Sequence, residues 1–485
     1  MGALRRFGAI ALLSWLGGAS AWAEPAPLTT PNHASQTAQG ELKAELADFV
    51  RWVESKQGHC SVRFVDLASG APVVEHDATR PLNPASNLKL FTAAASLVRL
   101  GPAARLRTVL LGSMQSDGSV PELALQGEGD PDLRREHLDA LARELAQRGV
   151  RRVSGPIVVD GSAFDAQTSP PGFEAQPAEQ AAFRAPVAAL SVDRNAVVIF
   201  VEPGTEAQAA RVWTADGVLP VEGTVSTAKR GAGDRVRAEV VEHAGALRVR
   251  VSGRIAVGLP TRRYARRVDS PALFVGTLLR DSLRRMGVAT TEAIVAGKRQ
   301  LPLLATHESP PVAQLLVALG KDSDNFTAEM LLKVLGARAT GQPGSSAGGA
   351  ADVLAVAQSL GVPPAQLEVR NGSGLFDGGR ASALALTELL RRGARDPRLG
   401  PDFVAQLSIG GVDGTLRSRF RTQAPSRRLR AKTGTLARAV ALSGYLLADG
   451  NHPGLAFSLL VQGARASHAE IRARMDQVVA RAAAF

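Results

Sequence analysis

A single cysteine, Cys60, in a chain of 485 residues limits how the fold can be held together. One thiol allows neither an internal disulfide nor a zinc site built from several cysteines. Stability must therefore come from buried apolar surface, and the length suffices for a sizeable core spread over about two to four domains. Hydrophobic residues make up 45% of the chain and charged residues 21%. This composition excludes a disordered, collagen-like or disulfide-scaffold protein.

The first 23 residues have the three parts of a secretory signal peptide. Two arginines at 5–6 precede an apolar stretch at 7–19, and an A-x-A cleavage site follows at 21–23. No cysteine follows the apolar stretch, so we expect no lipid anchor. No later apolar run is long enough to predict a transmembrane segment. We therefore expect an exported mature chain, periplasmic or secreted; an N-terminal core helix is the alternative interpretation.

The chain is strongly basic, with 57 lysines and arginines against 45 acidic residues. Such a balance can indicate nucleic-acid binding, but export argues against nucleic acid and makes an anionic extracellular polymer the better partner. A genome that uses arginine throughout is the alternative explanation. The densest basic stretch contains no acid, and its cations are Arg417, Arg419, Arg421, Arg427, Arg428, Arg430 and Lys432.

Serine chemistry is the leading hypothesis for an activity, because motifs for other chemistry are missing. The sequence has no HExxH, no phosphate-binding P-loop and no GxGxxG. Residues 344–348 match the G-x-S-x-G nucleophile elbow around Ser346. That elbow needs a preceding hydrophobic strand, which is missing here, so a glycine- and serine-rich loop is the better interpretation.

Ser-x-x-Lys occurs twice, at Ser86–Lys89 and at Ser226–Lys229, and context separates the two. On a helix this spacing places both side chains on one face, where a neutral amine can take the hydroxyl proton. Ser226 lies in a predicted strand or loop, whereas Ser86 opens a helical pattern. The backbone N–H of Ser86 would then lie at a helix N-terminus and could meet developing negative charge. An ordinary helix N-cap is the alternative for Ser86.

Two later motifs favour Ser86 as the nucleophile. Ser-Asp-Asn at 323–325 opens a predicted helix over 327–335, and Lys-Thr-Gly-Thr at 432–435 leads to a predicted strand over 441–447. Ser-x-x-Lys, Ser-Asp-Asn and Lys-Thr-Gly, in this order, are typical of penicillin-binding proteins and serine β-lactamases. We therefore predict one active site built from three distant parts of an exported chain.

Over essentially its whole mature length, the chain resembles the D-alanyl-D-alanine carboxypeptidase/endopeptidase family of the penicillin-binding protein 4 type, peptidase S13. Two features depart from the family pattern: Asn371 stands where an aspartate often precedes Gly-Ser-Gly-Leu, and residues 173–180 lack the expected aromatic character. The matching segments are 84–89 (PASNLK), 127–131 (GEGDP), 189–195 (ALSVDRN), 321–329 (KDSDNFTAE), 372–375 (GSGL), 410–416 (GGVDGTL), 432–436 (KTGTL) and 442–445 (LSGY).

The resemblance implies an α/β fold. A transpeptidase-like catalytic domain, an antiparallel sheet flanked by helices, would comprise residues 24–104 and 301–485. A large β-rich region of residues 105–300 would be inserted into it, with a nested small domain at roughly 118–190. The long interval between Ser-x-x-Lys and Ser-Asp-Asn has room for such an insertion, whereas a compact β-lactamase has none.

The resemblance also implies the catalytic roles. Ser86 would be the nucleophile that forms an acyl-enzyme, and Lys89 would be its base. Ser323 would relay a proton to the leaving amine or from water.

The substrate-binding roles follow in the same way. Asn325 would hold the substrate amide and orient the base. Lys432 would keep Lys89 neutral by charge repulsion and, with Thr433, attract the terminal carboxylate. Gly434 and Thr435 would complete the binding strand, and the backbone N–H groups of Ser86 and Thr435 would form the oxyanion hole.

The expected function is that of a serine DD-peptidase acting on peptidoglycan stem peptides. It would remove terminal D-Ala or cleave D-Ala–diamino-acid crosslinks, be acylated by β-lactam antibiotics, and need no metal or organic cofactor. A serine β-lactamase is one alternative, but its deacylating glutamate has only a poor match at 368–371. A catalytically dead wall-binding module is the other. The sequence does not predict an oligomeric state.

Overall fold

The computed structural model describes residues 33–423, 425–450 and 452–485, so the predicted signal peptide at 1–23 lies outside the described residues. None of the described helices combines the length and the apolar character needed to cross a bilayer. The α-helices are α1 (His33–Ser55), α2 (Lys89–Leu100), α3 (Arg135–Gln147), α4 (Pro271–Arg285), α5 (Val312–Lys321), α6 (Asn325–Thr340), α7 (Ser346–Ser359), α8 (Ala383–Arg395), α9 (Gly400–Ala405) and α10 (His468–Ala482).

The strands follow in chain order. They are β1 (His59–Asp66), β2 (Pro72–His76), β3 (Arg107–Leu111), β4 (Ser119–Val120), β5 (Leu123–Gly127), β6 (Arg152–Val153), β7 (Ile157–Asp160), β8 (Ala196–Glu202), β9 (Arg211–Thr214), β10 (Val221–Gly223), β11 (Ser226–Ala228), β12 (Asp234–His243), β13 (Ala246–Ala256), β14 (Arg262–Arg267), β15 (Ala289–Thr290), β16 (Ile294–Ala296), β17 (Leu303–Glu308), β18 (Leu367–Val369), β19 (Gly379–Ala381), β20 (Ser408–Ile409), β21 (Leu429–Leu436), β22 (Ala439–Leu446) and β23 (Leu455–Gln462).

The central sheet joins the two ends of the described chain. Its order is β2-β1-β23-β22-β21-β20, and every neighbouring pair is antiparallel. Side chains alternate across the sheet, so Val440 and Leu442 of β22 enter the core beneath α1 and α10, whereas Ala441 and Tyr445 enter the core shared with α2, α6 and α8. The predicted antiparallel sheet flanked by helices is confirmed.

Two helices of the second layer are buried almost all round, and they carry the polar groups of the site. Helix α2 is buried from Lys89 to Leu97, and α6 from Phe326 to Gly336. A helix in this position has no solvent-facing side, so every polar residue on it needs a partner inside the protein. The buried Lys89, Glu329 and Lys333 therefore indicate built polar contacts.

The region between the catalytic motifs has its own sheets and its own apolar core. A five-stranded sheet has the order β16-β7-β5-β3-β17 and packs with α3 and α4. Strands β8 to β14 form their ladders with one another, and Arg266 of β14 also forms an isolated bridge with Ala181. This pairing does not fit the nested domain predicted at roughly 118–190, because β5 and β7 are hydrogen-bonded to β3 and β16, which lie outside that range. The ladders of β8 to β14 instead define segment 196–267, whose apolar residues share one core with the five-stranded sheet.

A segment of the same region, residues 164–187, lies across the helical layer, and we call it the strap. Phe164, Ala185 and Val187 belong to the apolar core around α2 and α6. The buried amine of Lys333 donates to Asp165 Oδ1 and to the carbonyl of Gln167, each at 2.6 Å. The strap therefore anchors the middle of the chain to α6.

Candidate active site

Ser86 lies on a short 3₁₀ turn, Ala85–Leu88, that leads directly into α2. Ala85 has a positive φ of 48°, a strained conformation for a residue other than glycine. Asn83 holds this turn, because its Oδ1 accepts from the Ala85 N–H at 2.9 Å and its amide donates to the Phe376 carbonyl at 2.9 Å. Pro84 and Leu88 occupy the cap positions of the two helices, so Ser86 is not the ordinary N-cap that its sequence allowed.

Lys89 is fully buried, and its amine has three oxygen partners. Its Nζ lies 2.8 Å from Asn325 Oδ1, 2.7 Å from the carbonyl oxygen of Ser373 and 3.2 Å from Ser86 Oγ. The first two oxygens can only accept, so they take two hydrogens of the amine. In the neutral amine the lone pair is then left for the hydroxyl of Ser86. This is the arrangement that a general base needs.

The protonation of Lys89 suits that task. Burial lowers the pKa of Lys89 from 10.5 to about 7, while the negative charges of Glu329 and Asp324 oppose the decrease. A substantial fraction of the amine is therefore neutral near pH 7.

Each residue of the Ser323-Asp324-Asn325 motif has a separate contact. Ser323, with a positive φ of 58°, accepts a hydrogen bond from Lys432 Nζ at 2.7 Å. Asp324 caps α6 by accepting from the Thr327 N–H at 2.7 Å. Asn325, the first residue of the helix, reaches Lys89. The helix cap thus supports the strained Ser323 and directs the two flanking side chains to two different lysines.

Lys432 is the second buried amine of the site. It projects from β21 and donates to Ser323 Oγ and, at 2.8 Å, to the Thr433 carbonyl. Burial lowers the pKa of Lys432 well below its usual value, and the charge of Lys89 lowers it further. Burial is also the main cause of the lowered pKa of Lys89. Because the repulsion between two charged amines is reciprocal, the predicted effect of Lys432 on Lys89 stays a prediction.

Strand β21 passes close to the Ser86 turn. A Cβ at Gly434 would lie 2.8 Å from the Pro84 carbonyl oxygen and 3.0 Å from Ala85 Cβ, so only glycine allows this approach. Thr433 is half-buried, and its hydroxyl donates to Thr415 Oγ1 at 2.8 Å. Thr435 is the next residue along the strand and is exposed.

The structure brings together all eight predicted site residues, whereas the two competing serines lie elsewhere. Ser226 is exposed on β11 and donates to the Gly253 carbonyl. Ser346 begins α7, where Ser345 provides the cap. Neither serine has a hydrogen bond to a lysine among the contacts of the described residues.

Sequence reasoning gave no role to three groups that touch the site. These are the carbonyl of Ser373, the carboxylate of Glu329 and the hydroxyl of Thr415. A signal for one of them was present: Glu329 is four residues after Asn325, hence on the same helix face, and it interrupts an otherwise apolar stretch. A backbone carbonyl such as that of Ser373 leaves no such signal.

A cleft of about 600 Å³ opens beside Ser323 and Asn325. Residues 131–135, 193–194 and 196–198 of the intervening region contribute to its other wall. Arg194, in a left-handed conformation, lies 3.3 Å from Asp324 across this cleft. The intervening region therefore borders the site directly.

The basic stretch is only partly neutralised. Arg419 pairs with Asp476, and Arg428 lies 3.1 Å from Asp449. Arg417, Arg421 and Arg427 are exposed, and no carboxylate of the described residues forms an ion pair with them. They follow the turn that carries Thr415, so this basic surface adjoins the Thr433 end of the site.

Comparison with known proteins is consistent with this geometry. The profile of the D-Ala-D-Ala carboxypeptidase 3 (S13) family matches residues 42–485. The D-alanyl-D-alanine carboxypeptidase of Actinomadura sp. (strain R39) is 32% identical over 420 residues, which cover 82% of this chain and 77% of that protein.

Solved structures show the same fold. The crystal structure of penicillin-binding protein 4 (dacB) from Haemophilus influenzae is 24% identical, with a TM-score of 0.78 and coverage of 89% of this chain and 97% of that one. The structure of that protein complexed with a β-lactam is 23% identical, with a TM-score of 0.72 and the same coverage. From the family match over residues 42–485 and the 32% identity, the chain belongs to the S13 family of serine-type D-Ala-D-Ala carboxypeptidases.

Proposed function

We propose that this chain is a serine DD-peptidase of peptidoglycan that works through an acyl-enzyme on Ser86. The observation that carries the proposal is the hydroxyl of Ser86 at 3.2 Å from Lys89, a buried amine whose other two partners are oxygens that can only accept. The substrate is the D-Ala-D-Ala end of a stem peptide or a D-Ala–diamino-acid crosslink.

Acylation begins with proton transfer from Ser86 Oγ to the neutral amine of Lys89. The oxygen attacks the carbonyl carbon of the penultimate D-Ala, and negative charge develops on the carbonyl oxygen. The backbone N–H groups of Ser86 and Thr435 face that oxygen. Such donors are worth about 3–4 kcal/mol each in the barrier.

The tetrahedral intermediate breaks when the leaving amine receives a proton through Ser323, which is hydrogen-bonded to Lys432. The C–N bond cleaves, the D-amino acid departs, and Ser86 remains as an ester. Water then enters the vacated space and gives a proton to the Ser323–Lys432 pair, which lost one to the leaving amine, as it attacks the ester. When the ester C–O bond breaks, Lys89 returns its proton to Ser86 Oγ. The released acid and the free serine complete the cycle.

The carboxylate at the end of the substrate binds at Lys432 and Thr433. Lys432 is buried beside another amine, which favours its neutral form in the free enzyme. A bound carboxylate is an opposite charge and favours the protonated form. On substrate binding, the Thr433 hydroxyl turns its single hydrogen from Thr415 Oγ1 to the carboxylate, and Thr415 can then donate to Thr433 Oγ1 in return. The site therefore selects peptides with a free carboxyl end.

A β-lactamase activity would require a group that activates water on the penicilloyl ester. Glu368, the nearest sequence match, has a side chain 46% exposed on β18 and is bonded to Arg370 at 2.7 Å. It does not enter the site. With penicillin the leaving amine stays tethered to the acyl group and blocks the approach of water, so the adduct should persist.

The first test combines a peptide and an antibiotic. The exported chain should release D-Ala from a soluble stem pentapeptide ending in D-Ala-D-Ala and should not release alanine from the L-Ala-L-Ala control. Mixed with penicillin, it should form an adduct that mass spectrometry detects for minutes, whereas enzyme turnover typically takes about 1 s to 1 ms. Rapid penicillin turnover without an adduct would favour a β-lactamase; sacculus binding with neither reaction would favour a dead module.

We propose the predicted division into a catalytic domain, residues 24–104 and 301–485, and an insertion, residues 105–300, with the second boundary moved to a later residue. The central sheet and the separate apolar core of the insertion support this division. Strand β17 pairs with β3 in the sheet of the insertion, so the return to the catalytic domain follows residue 308. We place the nested unit at 196–267, and we assign the insertion to selection of wall substrates because it borders the cleft.

Export to a periplasm or to the medium is part of the proposal, supported by the signal peptide pattern at 1–23. The partner there is the anionic wall. The exposed Arg417, Arg421 and Arg427 adjoin the Thr433 end of the site and can attract carboxylates of neighbouring stem peptides.

The second test removes these three charges together. The variant with Arg417, Arg421 and Arg427 changed to glutamine should bind purified sacculi at least about tenfold more weakly in low salt, where the attraction between exposed charges is least screened. Its acylation by penicillin should be unchanged, because these arginines attract the anionic polymer and take no part in acylation. The control carries Arg143→Gln, Arg235→Gln and Arg254→Gln, which remove equal charge from exposed positions of the insertion. Equal losses in both variants would show that net charge, and not this surface, attracts the wall.

A further inference from the structure

Glu329 is a carboxylate with 2% exposure on α6, one turn after Asn325. Burial of a charge costs several kcal/mol unless hydrogen bonds or an opposite charge compensate. Both carboxylate oxygens accept backbone N–H groups: Oε1 from Ser373 at 2.8 Å and Oε2 from Gly372 at 3.0 Å. No arginine or lysine pairs with it within salt-bridge distance in the described part of the chain. The carboxylate is therefore built to hold a peptide segment.

That segment has a direct contact with the base. The Ser373 carbonyl accepts from Lys89 Nζ at 2.7 Å, and the Gly372 carbonyl accepts from Thr92 Oγ1 at 2.9 Å. A Cβ at Gly372 would lie 2.4 Å from the Ala328 carbonyl oxygen, so glycine is needed for the segment to reach α6. Glu329 and Thr92 thus fix the segment from two helices.

We propose that Glu329 is a positioning residue for acylation, acting through the Gly372–Ser373 peptide and through its charge on the amine of Lys89. The inference rests on the proposed function of that amine as the base. If the Ser373 carbonyl moves, one hydrogen of Lys89 loses its acceptor, and the lone pair is no longer directed at Ser86. The predicted role is therefore one of orientation and charge, without contact with substrate.

The charges that face Lys89 are Glu329 and Asp324 from the α6 segment and Lys432 from β21. Glu329 raises the pKa of Lys89 and is the larger of the two opposing carboxylate effects. Burial raises the pKa of Glu329 itself, while the N–H groups that it accepts lower it. Removing the negative charge should lower the pKa of Lys89. The pH range over which the acylation rate constant rises should therefore move to lower pH. Loss of the orientation of Lys89 should lower the plateau, which is the acylation rate constant reached at pH values above the pKa of Lys89.

The experiment measures the rate constant of acylation by a fluorescent penicillin from pH 5 to pH 9. With penicillin in excess, unfolded protein reduces the amplitude and not the rate constant. Glu329→Gln should lower the plateau about 10- to 100-fold, because small misplacements of a reacting group have effects of this size. The pH at which its acylation rate constant reaches half of the plateau, the midpoint, should be lower than in the wild type. Thr92→Val, which loosens the same peptide without changing charge, should lower the plateau and leave the midpoint in place.

Glu388→Gln is the matched control. Glu388 is a partly buried carboxylate on α8 that pairs with Arg63 at 3.0 Å and Arg391 at 3.1 Å. Its loss should reduce stability and leave both the plateau and the midpoint unchanged.

An unchanged midpoint and plateau in Glu329→Gln would overturn the inference, as would a lower amplitude alone. If that variant does not fold, Glu329→Asp decides: a carboxylate shorter by one methylene should lower the plateau at least about tenfold, and an unchanged plateau contradicts the inference. A wild-type protein that penicillin does not acylate at Ser86 would instead refute the proposed function, so the two failures are distinguishable.

Discussion

Replacement of Ser86 by alanine should abolish covalent labelling by penicillin completely. The acyl-enzyme requires an oxygen nucleophile beside Lys89, and Ser86 Oγ is the hydroxyl that the structure places there, at 3.2 Å. The change removes one long contact of a half-buried side chain, while Lys89 keeps its two shorter bonds, so the variant should remain folded. Labelling with fluorescent penicillin, followed by mass spectrometry of the intact chain, measures the result.

Two other serines provide the controls. Ser226→Ala and Ser346→Ala should be labelled like the wild type, because Ser226 is exposed on β11, Ser346 begins α7, and neither has a hydrogen bond to Lys89 or Lys432 among the contacts of the described residues. Persistent labelling of Ser86→Ala, with the adduct on a different peptide, would contradict the assignment of the nucleophile.

The catalytic side chains could be predicted because short motifs determine their chemistry locally. A spacing of three on a helix places Ser86 and Lys89 together, whatever else the chain does. The helix predicted over 327–335 is confirmed within the longer α6, and the strand predicted over 441–447 is confirmed as β22, which spans 439–446. Ser-Asp-Asn lies where α6 begins, whereas Lys-Thr-Gly-Thr lies on β21, the strand before β22.

The contacts that support these side chains could not be predicted, since they arise from tertiary packing. The acceptor on Ser373 is a backbone carbonyl, and its place depends on Glu329 and Thr92 of two separate helices. The electrostatic balance of the two lysines also depends on depth of burial, which sequence spacing does not give. For that reason burial, the main cause of the lowered pKa of both lysines, could not be predicted from the motifs.

The pairing of strands within the insertion also depends on tertiary structure. Local alternation identifies strands such as β5 and β7, but it does not say which strands pair. In the structure β7 pairs with β16, from more than a hundred residues later in the chain, and β1 pairs with β23 near the C-terminal end. A nested domain placed by sequence order at roughly 118–190 therefore separates strands that share hydrogen bonds.

Lys89→Met should slow acylation about 100- to 10,000-fold, the range expected for loss of a general base. In the wild type the rate should rise with pH through about 7, since the neutral amine is the active form and the pKa of Lys89 is about 7. Below that pH the rate should fall about tenfold per unit. Methionine has no proton acceptor, so this rising limb should disappear. Stopped-flow measurement of penicillin acylation between pH 5 and pH 9 tests both effects.

The Lys89→Arg variant distinguishes the loss of the proton acceptor from the loss of the positive charge. Arginine retains the positive charge and donors for Asn325 and Ser373, but it stays protonated throughout this pH range and cannot accept the proton of Ser86. Its acylation should therefore be as slow as that of the methionine variant and equally independent of pH. If either variant kept a midpoint near pH 7 together with a rate close to that of the wild type, another group would have to be the base. Lys432, which contacts Ser323 at 2.7 Å, would then be the candidate to replace next.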